Sequence, residues 1–275
     1  MRLSGIIFIA VFLMIPLLFI VFYFNSDQMY STRKQSSALL AITEEQSGEI
    51  PLNQSQISEH TEETDRSHTE DVFSEPEIEI IGVAYLTFDD GPSHKITPGI
   101  LDILAEEGIN ATFFTLPYSD ADDIFRRILS DGHEIGNHSY SHVYPTLYEG
   151  SISDFREDVI KARRFIEDNF GYSSTSFRFP GGSQDQSRSV RNPRIDVINE
   201  LGYKYFDWDI DPNDWRQGRS AEEIKNDILN ETHGREHVII LLHDVYERTL
   251  EALPMIIDGL REQGYEFDIL SNHPG

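Results

Sequence analysis

The pattern of apolar and polar positions divides the chain into three segments. Residues 5–24 contain no charged side chain, residues 25–79 show no sustained apolar period, and strand-like and helix-like patterns alternate from residue 80 onward. The pattern therefore predicts a membrane-spanning helix within residues 1–24, an acidic disordered linker at 25–79 and one folded domain at 80–275.

The first segment is long enough to cross a bilayer. A helix of about 20 residues spans about 30 Å, the thickness of a bilayer core. A cleaved signal peptide is the alternative, but its apolar region is usually shorter and ends at small residues. Here the run ends in Phe22, Tyr23 and Phe24. We expect an uncleaved single-pass anchor in the cell membrane with the folded domain outside the cytoplasm, or a secreted protein if the segment is cleaved.

In the third segment, short apolar runs alternate with longer amphipathic stretches. The runs predict strands at residues 81–87, 111–116, 134–138, 176–179, 203–208, 237–242 and 265–270. The first helix is predicted to have Thr97 as its cap and Pro98 as its first residue. Further helices are predicted at 122–129, 153–170, 195–201, 221–229 and 249–262. This alternation predicts an α/β fold with a parallel sheet wrapped by helices.

Composition narrows the classes of function. The chain has no cysteine, which excludes disulfides, thiol nucleophiles and zinc–thiolate sites. The formal net charge of -26 argues against a nucleic-acid partner, because phosphate binding needs a basic surface. A neutral or cationic ligand fits the charge, and an acidic surface that only maintains solubility explains it equally well. The sequence indicates no protein partner.

Polar residues follow several of the predicted strands. Asp89 and Asp90 come after the first strand, and His138, Arg178 and His243 come at or near the ends of later ones. The carboxyl ends of parallel strands meet at one edge of a sheet or barrel, where functional sites form. We therefore expect these side chains to lie close together.

Two of these clusters suggest a metal centre. Side chains of the adjacent residues Asp89 and Asp90 point apart, so one can bind a metal while the other acts as a base. His138 and His142 project from one face if their segment is helical, and with one carboxylate they form a two-histidine, one-carboxylate site. The alternatives are an ordinary Asp-Asp-Gly-Pro turn and two surface histidines.

His243 is the third candidate. It follows the apolar run at 238–242, and a histidine there is often only a packed core residue. At a rim that faces a metal site, the same residue could act as a general acid near neutral pH.

Five motifs occur in order along the folded domain: Thr87-Phe-Asp-Asp-Gly-Pro92, His138-Ser-Tyr-Ser-His142, Arg178-Phe-Pro180, Asp214-Trp215 and Leu241-Leu-His243. Together they resemble the motifs of the polysaccharide deacetylase (NodB-like) family, also called carbohydrate esterase family 4. The resemblance implies a distorted (β/α) barrel of about seven parallel strands. It also implies metal-dependent hydrolysis of N-acetyl groups on an N-acetylated glycan, such as the N-acetylglucosamine units of peptidoglycan.

The resemblance also implies a role for each matching residue. Asp89 is the expected base and Arg178 its partner, while His243 is the expected acid and Asp214 the carboxylate that tunes it. The expected ligands of a divalent metal, with zinc preferred over cobalt or manganese, are Asp90, His138 and His142. The expected substrate contacts are Pro180, Gly181, Trp215 and Leu241.

One position departs from the family pattern. Gly181 and Gly182 follow Pro180, where many relatives carry an aromatic residue, so a more open groove and an altered substrate preference are expected. Two other functions stay open from the sequence. One is O-deacetylation of an acetylated polysaccharide, and the other is glycan binding without catalysis.

Overall fold

The computed structural model describes residues 79–118, 120–184 and 186–274. The predicted membrane segment, and the predicted linker apart from its last residue, lie outside these ranges, so both stay predictions. Among the described residues, no helix has the length and apolar character needed to span a bilayer.

Within the described ranges, seven parallel strands form one sheet. In chain order they are β1 (Gly82–Asp89), β2 (Thr112–Thr115), β3 (Glu134–Asn137), β4 (Ser176–Phe177), β5 (Lys204–Tyr205), β6 (His237–His243) and β7 (Tyr265–Phe267). The order across the sheet is β5-β4-β3-β2-β1-β6, and β7 pairs with the first residues of β1. The predicted parallel α/β fold is confirmed, and the strands fit the curled sheet of a (β/α) barrel.

In the part of the chain that the structure describes, six α-helices connect the strands. They are α1 (Thr97–Glu106), α2 (Asp122–Ser130), α3 (Ile152–Phe170), α4 (Arg188–Glu200), α5 (Ala221–Thr232) and α6 (Glu247–Glu262). A short π-helical turn, Pro145–Glu149, precedes α3, and a 3₁₀ turn, Leu270–Asn272, follows β7. The predicted helix at 195–201 is longer than expected, since α4 begins at Arg188 and continues through Pro193.

The predicted cap of the first helix is wrong. Ile96 precedes the helix without a side-chain cap, and Thr97 is already helical. The Thr97 hydroxyl instead accepts a hydrogen bond from the Ser93 backbone N–H at 2.7 Å and contacts Asp244 Oδ2 at 2.6 Å. A tertiary contact therefore uses the side chain that local sequence assigned to capping.

The sheet curls until its two outer segments meet. Strands β4 and β5 have only two residues each, because the chain then leaves the regular ladder. Beyond β5, Asp209 donates its backbone N–H to Ile239 O, and Ile210 forms a parallel bridge with Ile240 of β6. Among the described residues, a single bridge rather than a full pair of strands thus joins the two outer segments of the curled sheet.

Alternation along β1 and β6 separates two layers of the core. Every second residue, from Ala84 to Phe88 in β1 and from Val238 to Leu242 in β6, belongs to the apolar layer under the helices. The intervening Tyr85 and Ile239 pack inside the curled sheet. Because side chains alternate with a period of two, the inner face of these strands ends at Asp89 and His243.

Candidate active site

Asp89 and His243 are direct neighbours across the sheet. They are paired in the register of β1 and β6, each as the last residue of its strand. His138 follows β3, and Arg178 follows β4. The polar residues that follow the strands therefore share one rim of the barrel, as the sequence predicts.

Asp90, His138 and His142 form a compact group. One ligand atom from each residue lies within 4.8 Å of the other two. Asp90 Oδ1 is 3.5 Å from His138 Nε2 and 3.2 Å from His142 Nε2. Adjacent Asp89 and Asp90 occupy different environments, because Asp90 has a positive φ of 73° and turns its side chain toward the imidazoles.

The segment 138–142 is not helical, so helical spacing does not explain why its two imidazoles lie together. It is a loop in which Ser139 and His142 have φ values of 73° and 51°. Ser139 N donates to Asn137 Oδ1 at 2.9 Å, and His142 N donates to Ser139 Oγ at 3.1 Å. Polar side chains thus stabilise a left-handed turn that places both rings beside Asp90.

These three residues fit a divalent metal ion. Asp90 Oδ1 is buried and has no hydrogen-bond partner among the described residues. His138 Nδ1 lies 3.0 Å from the Arg178 carbonyl oxygen, a contact that fixes the ring and directs Nε2 toward Asp90. A histidine held at one nitrogen by a carbonyl is the usual arrangement of a metal ligand.

The charges at this site favour a cation. Burial opposes ionisation of Asp90, but its contact with His138 and the charges of the nearby histidines lower its pKa to about 2. Burial likewise opposes a charge on His138, yet Asp89 and Asp90 raise its pKa. The pKa of His142 is lowered, first by burial and then by His138. A carboxylate and a neutral imidazole are the forms that bind metal.

Asp89 is held by a buried arginine. Arg178 is fully buried, and its Nη1 lies 2.9 Å from Asp89 Oδ1 and 2.6 Å from Thr87 Oγ1. Arg178 Nε and Nη2 donate to the carbonyl oxygens of Phe206 and Asp207 at 3.0 and 3.1 Å. Since every contact is to a fixed group, the arginine fixes the orientation of the Asp89 carboxylate.

His243 is paired with a fully buried carboxylate. Its Nδ1 lies 2.7 Å from Asp214 Oδ1. Asp214 Oδ2 accepts hydrogen bonds from the His243 backbone N–H at 2.8 Å and from Thr249 Oγ1 at 2.7 Å. Burial opposes the charged imidazole, but the hydrogen bond and charge of Asp214 raise the pKa of His243 to about 9. The imidazolium form is therefore the dominant one at neutral pH.

The residues expected to contact substrate take different positions. Trp215 is among the exposed large side chains, whereas Leu241 is buried and lies two residues before His243 on the same face of β6. The Pro180 carbonyl accepts a hydrogen bond from the Tyr148 hydroxyl at 2.7 Å. A Cβ placed on Gly181 would lie 1.7 Å from the Tyr144 hydroxyl oxygen, so the end of the Tyr144 ring lies next to this glycine. The expectation of a more open groove stays a prediction.

Sequence reasoning missed two residues around this turn. Tyr144 carries no recognisable signal, since its contact with Gly181 joins positions that are far apart along the chain. Asp207 likewise lies 24 positions from the residue of the turn that it contacts. It accepts hydrogen bonds from the Ser183 backbone N–H at 2.8 Å and from Ser183 Oγ at 2.5 Å, which anchors the far end of the turn.

Known proteins share this fold and sequence. Residues 80–206 match the family described as polysaccharide deacetylase. A peptidoglycan-N-acetylglucosamine deacetylase of Bacillus cereus is 34% identical over 197 residues, which cover 68% of this chain and 68% of that protein. A solved polysaccharide deacetylase of Bacillus cereus has 31% sequence identity and a TM-score of 0.64, covering 70% of this chain and 94% of its own.

A longer relative matches only in part. The peptidoglycan-N-acetylglucosamine deacetylase PgdA of Listeria monocytogenes is 33% identical over 184 residues, which are 66% of this chain and 36% of the Listeria protein. The match thus spans about a third of that relative. With the five motifs on one rim of a parallel α/β barrel and with these similarities, the chain belongs to the polysaccharide deacetylase family of hydrolases.

Proposed function

We propose that this protein removes N-acetyl groups from N-acetylglucosamine units of cell-wall glycan, with peptidoglycan favoured, and releases acetate. The observation that carries the proposal is a rim with an acid and a base that are each held by a buried partner of opposite charge, next to three candidate metal ligands. The relatives named as peptidoglycan-N-acetylglucosamine deacetylases support the choice of glycan.

Asp90, His138 and His142 would hold the metal ion. Two imidazoles and one carboxylate suit zinc, with cobalt or manganese as alternatives, and leave positions open for water and substrate. When bound, such an ion lowers the pKa of a water molecule and polarises the acetyl carbonyl.

Asp89 would act as the base. Its carboxylate accepts a proton from the attacking water while the water oxygen forms a bond to the carbonyl carbon. Arg178 fixes the orientation of this carboxylate throughout, since four of its five N–H groups donate hydrogen bonds. A backbone N–H in the 180–182 turn would stabilise the negative charge that develops on the carbonyl oxygen.

His243 would act as the acid. With Nδ1 bound to Asp214, Nε2 is the nitrogen available to give a proton to the departing nitrogen as the C–N bond breaks. The products are acetate and a free amine on the sugar. Trp215 and Leu241 would supply the apolar surface for the sugar ring and the acetyl methyl group.

The test is acetate release from N-acetylglucosamine oligomers and from peptidoglycan by the metal-replete protein. We expect turnover by the wild type and a loss of about 10²- to 10⁴-fold in Asp89→Asn, which removes the base. Asp89→Asn should keep its metal, whereas Asp90→Asn, the matched control at the next position, should lose it. Metal content is measured by elemental analysis.

Several outcomes would contradict the proposal. Full turnover by Asp89→Asn would remove the assigned base. Tight binding of oligomers by metal-replete protein without acetate release would indicate a glycan-binding domain, and release from O-acetyl esters alone would indicate an O-deacetylase.

A further inference from the structure

A side chain from another loop contacts the turn after Arg178. Gly181 has a φ of +72°, and a Cβ built on it would lie 1.7 Å from the Tyr144 hydroxyl oxygen and 2.8 Å from Tyr144 Cζ. A side chain at position 181 would therefore require the Tyr144 ring to move. The end of the Tyr144 ring occupies the volume that a side chain at 181 would fill.

Tyr144 is fixed on both sides. Its ring packs edge-on against Tyr148 with 5.3 Å between centroids, and the Tyr148 hydroxyl donates to Pro180 O at 2.7 Å. On the other side it packs edge-on against His142, with 6.3 Å between centroids. Tyr144 therefore bridges the loop that carries a candidate metal ligand and the turn that carries the candidate backbone donor.

The ring is nevertheless accessible. Tyr144 is 45% exposed although its hydroxyl end lies over Gly181, so part of its surface faces solvent beside the site. An exposed aromatic ring held in place by its neighbours is a suitable surface for the apolar C–H face of a pyranose ring, because it loses little conformational freedom on binding.

We propose that Tyr144 is a specificity-determining residue, which supplies from the ligand loop the aromatic wall that is missing at Gly181. This proposal rests on the proposed function, since it assigns Tyr144 to the glycan cleft. It follows that the ring sets the affinity for the glycan chain while the acid, the base and the metal ligands set the chemical step.

Kinetics and binding of N-acetylglucosamine oligomers test this role. We expect Tyr144→Ala to raise KM, and the Kd measured by calorimetry, about tenfold, which corresponds to about 1.4 kcal/mol. We expect kcat to change less than about threefold, because no reacting group is removed. Tyr144→Phe, which keeps the ring, should stay within about threefold of wild type.

Tyr140→Ala is the matched control. Tyr140 is also 45% exposed and lies four residues earlier. Its ring, however, packs against helix α3, where Lys161 Nζ lies 5.9 Å from the ring centroid. We expect its KM and Kd to stay within about twofold of wild type. Equal effects of Tyr140→Ala and Tyr144→Ala would overturn the assignment.

A double-mutant cycle tests the contact itself. We expect Gly181→Ala to lower the melting temperature and raise KM strongly in the wild-type background, and to do so less in Tyr144→Ala, where only the strain of a positive φ remains. Strictly additive effects would overturn the proposed contact.

The outcomes separate this proposal from the proposed function. If Tyr144→Ala releases acetate with unchanged KM and Kd, the role of Tyr144 in glycan binding is contradicted, while the proposed deacetylase activity is not. If the wild type releases no acetate, the proposed deacetylase activity is contradicted. The Kd values of wild type and Tyr144→Ala for the oligomers then test the role of Tyr144 in glycan binding. No measurable oligomer binding by wild type overturns both.

Discussion

The chemical environment of each residue in this site depends on the side chains that it contacts in the folded protein. His243 and Asp214 lie 29 positions apart, yet their side chains are joined at 2.7 Å. Asp89 and Asp90 are adjacent, yet one contacts a buried arginine and the other contacts two imidazoles. Proximity along the chain is therefore a poor guide to the chemistry of each group.

The pairing of His243 predicts a pH dependence. Its pKa of about 9 exceeds the ordinary value of 6.5, so the acid is protonated at neutral pH and deprotonates as the pH rises through about 9. We expect the kcat profile to have an alkaline limb there. Asp214→Asn should move this limb to lower pH by about one unit or more, since the opposing charge is lost.

Stability should follow the same titration. Because the folded pKa is raised, the pair contributes fully below about pH 6.5 and its contribution is lost as the pH rises through about 9. Melting temperatures at pH 6 and pH 10 measure this difference, which should shrink in Asp214→Asn. In the control Asp196→Asn, an exposed carboxylate, the alkaline limb and the melting behaviour should match wild type. An alkaline limb that does not move in Asp214→Asn would exclude His243 as the acid.

At the scale of elements, helix α3 holds the loop that carries two candidate ligands. The helix is closed at its start by a reciprocal pair of contacts between Ser151 and Asp154, and at its end by Gly171 in a left-handed conformation. Its buried residue Asp158 accepts hydrogen bonds from the Tyr140 and Ser141 backbone N–H groups at 2.7 and 3.3 Å. The Asp158 carboxylate therefore connects the helix directly to the ligand loop.

This contact predicts a metal phenotype away from the ligands. Asp158→Ala removes the acceptor of two loop N–H groups, so we expect metal affinity to fall about 10- to 100-fold. Competition with a chelator of known affinity measures the change. The control is Asp154→Ala on the same helix, which should lower the melting temperature but leave metal affinity unchanged. A similar loss of metal in both variants would mean that helix stability alone matters.

At the scale of the whole molecule, the barrel brings distant motifs to one rim. Closure depends on the bridge between Ile210 and Ile240, because β4 and β5 have only two residues each. The stretch between β5 and this bridge carries Phe206 and Asp207, whose carbonyls hold Arg178. The same irregular segment therefore closes the sheet and supports the base.

The apolar segment at residues 5–24 predicts that the protein is anchored in the cell membrane. We expect the full chain to remain in the membrane fraction after an alkaline wash and to keep its N-terminus, with the catalytic domain accessible to external protease. Removal of residues 5–24 should release the domain. A mature N-terminus beyond residue 24 would instead show that the segment is a cleaved signal peptide.

Much of the fold and of the site could be predicted from sequence. Periods of 2 and 3.6 are local properties, so the strands and most helices were placed within a few residues. The predicted start of the first helix was wrong because the Thr97 hydroxyl, expected to cap the helix, instead forms a hydrogen bond with the distant Asp244. The two histidines were predicted as a pair, but the left-handed loop that joins them depends on contacts with Asn137 and Asp158.

By itself, the sequence determined the parallel α/β class, the order of the five motifs and the family to which they belong. These follow from local periodicity and from residue identity, which need no coordinates. Only the tertiary structure decided how the sheet closes, which carboxylate meets the arginine and which side chain lies next to Gly181. Tyr144 reaches that glycine across 37 positions of chain, and such contacts depend on the path of the backbone between them, which local preferences do not specify.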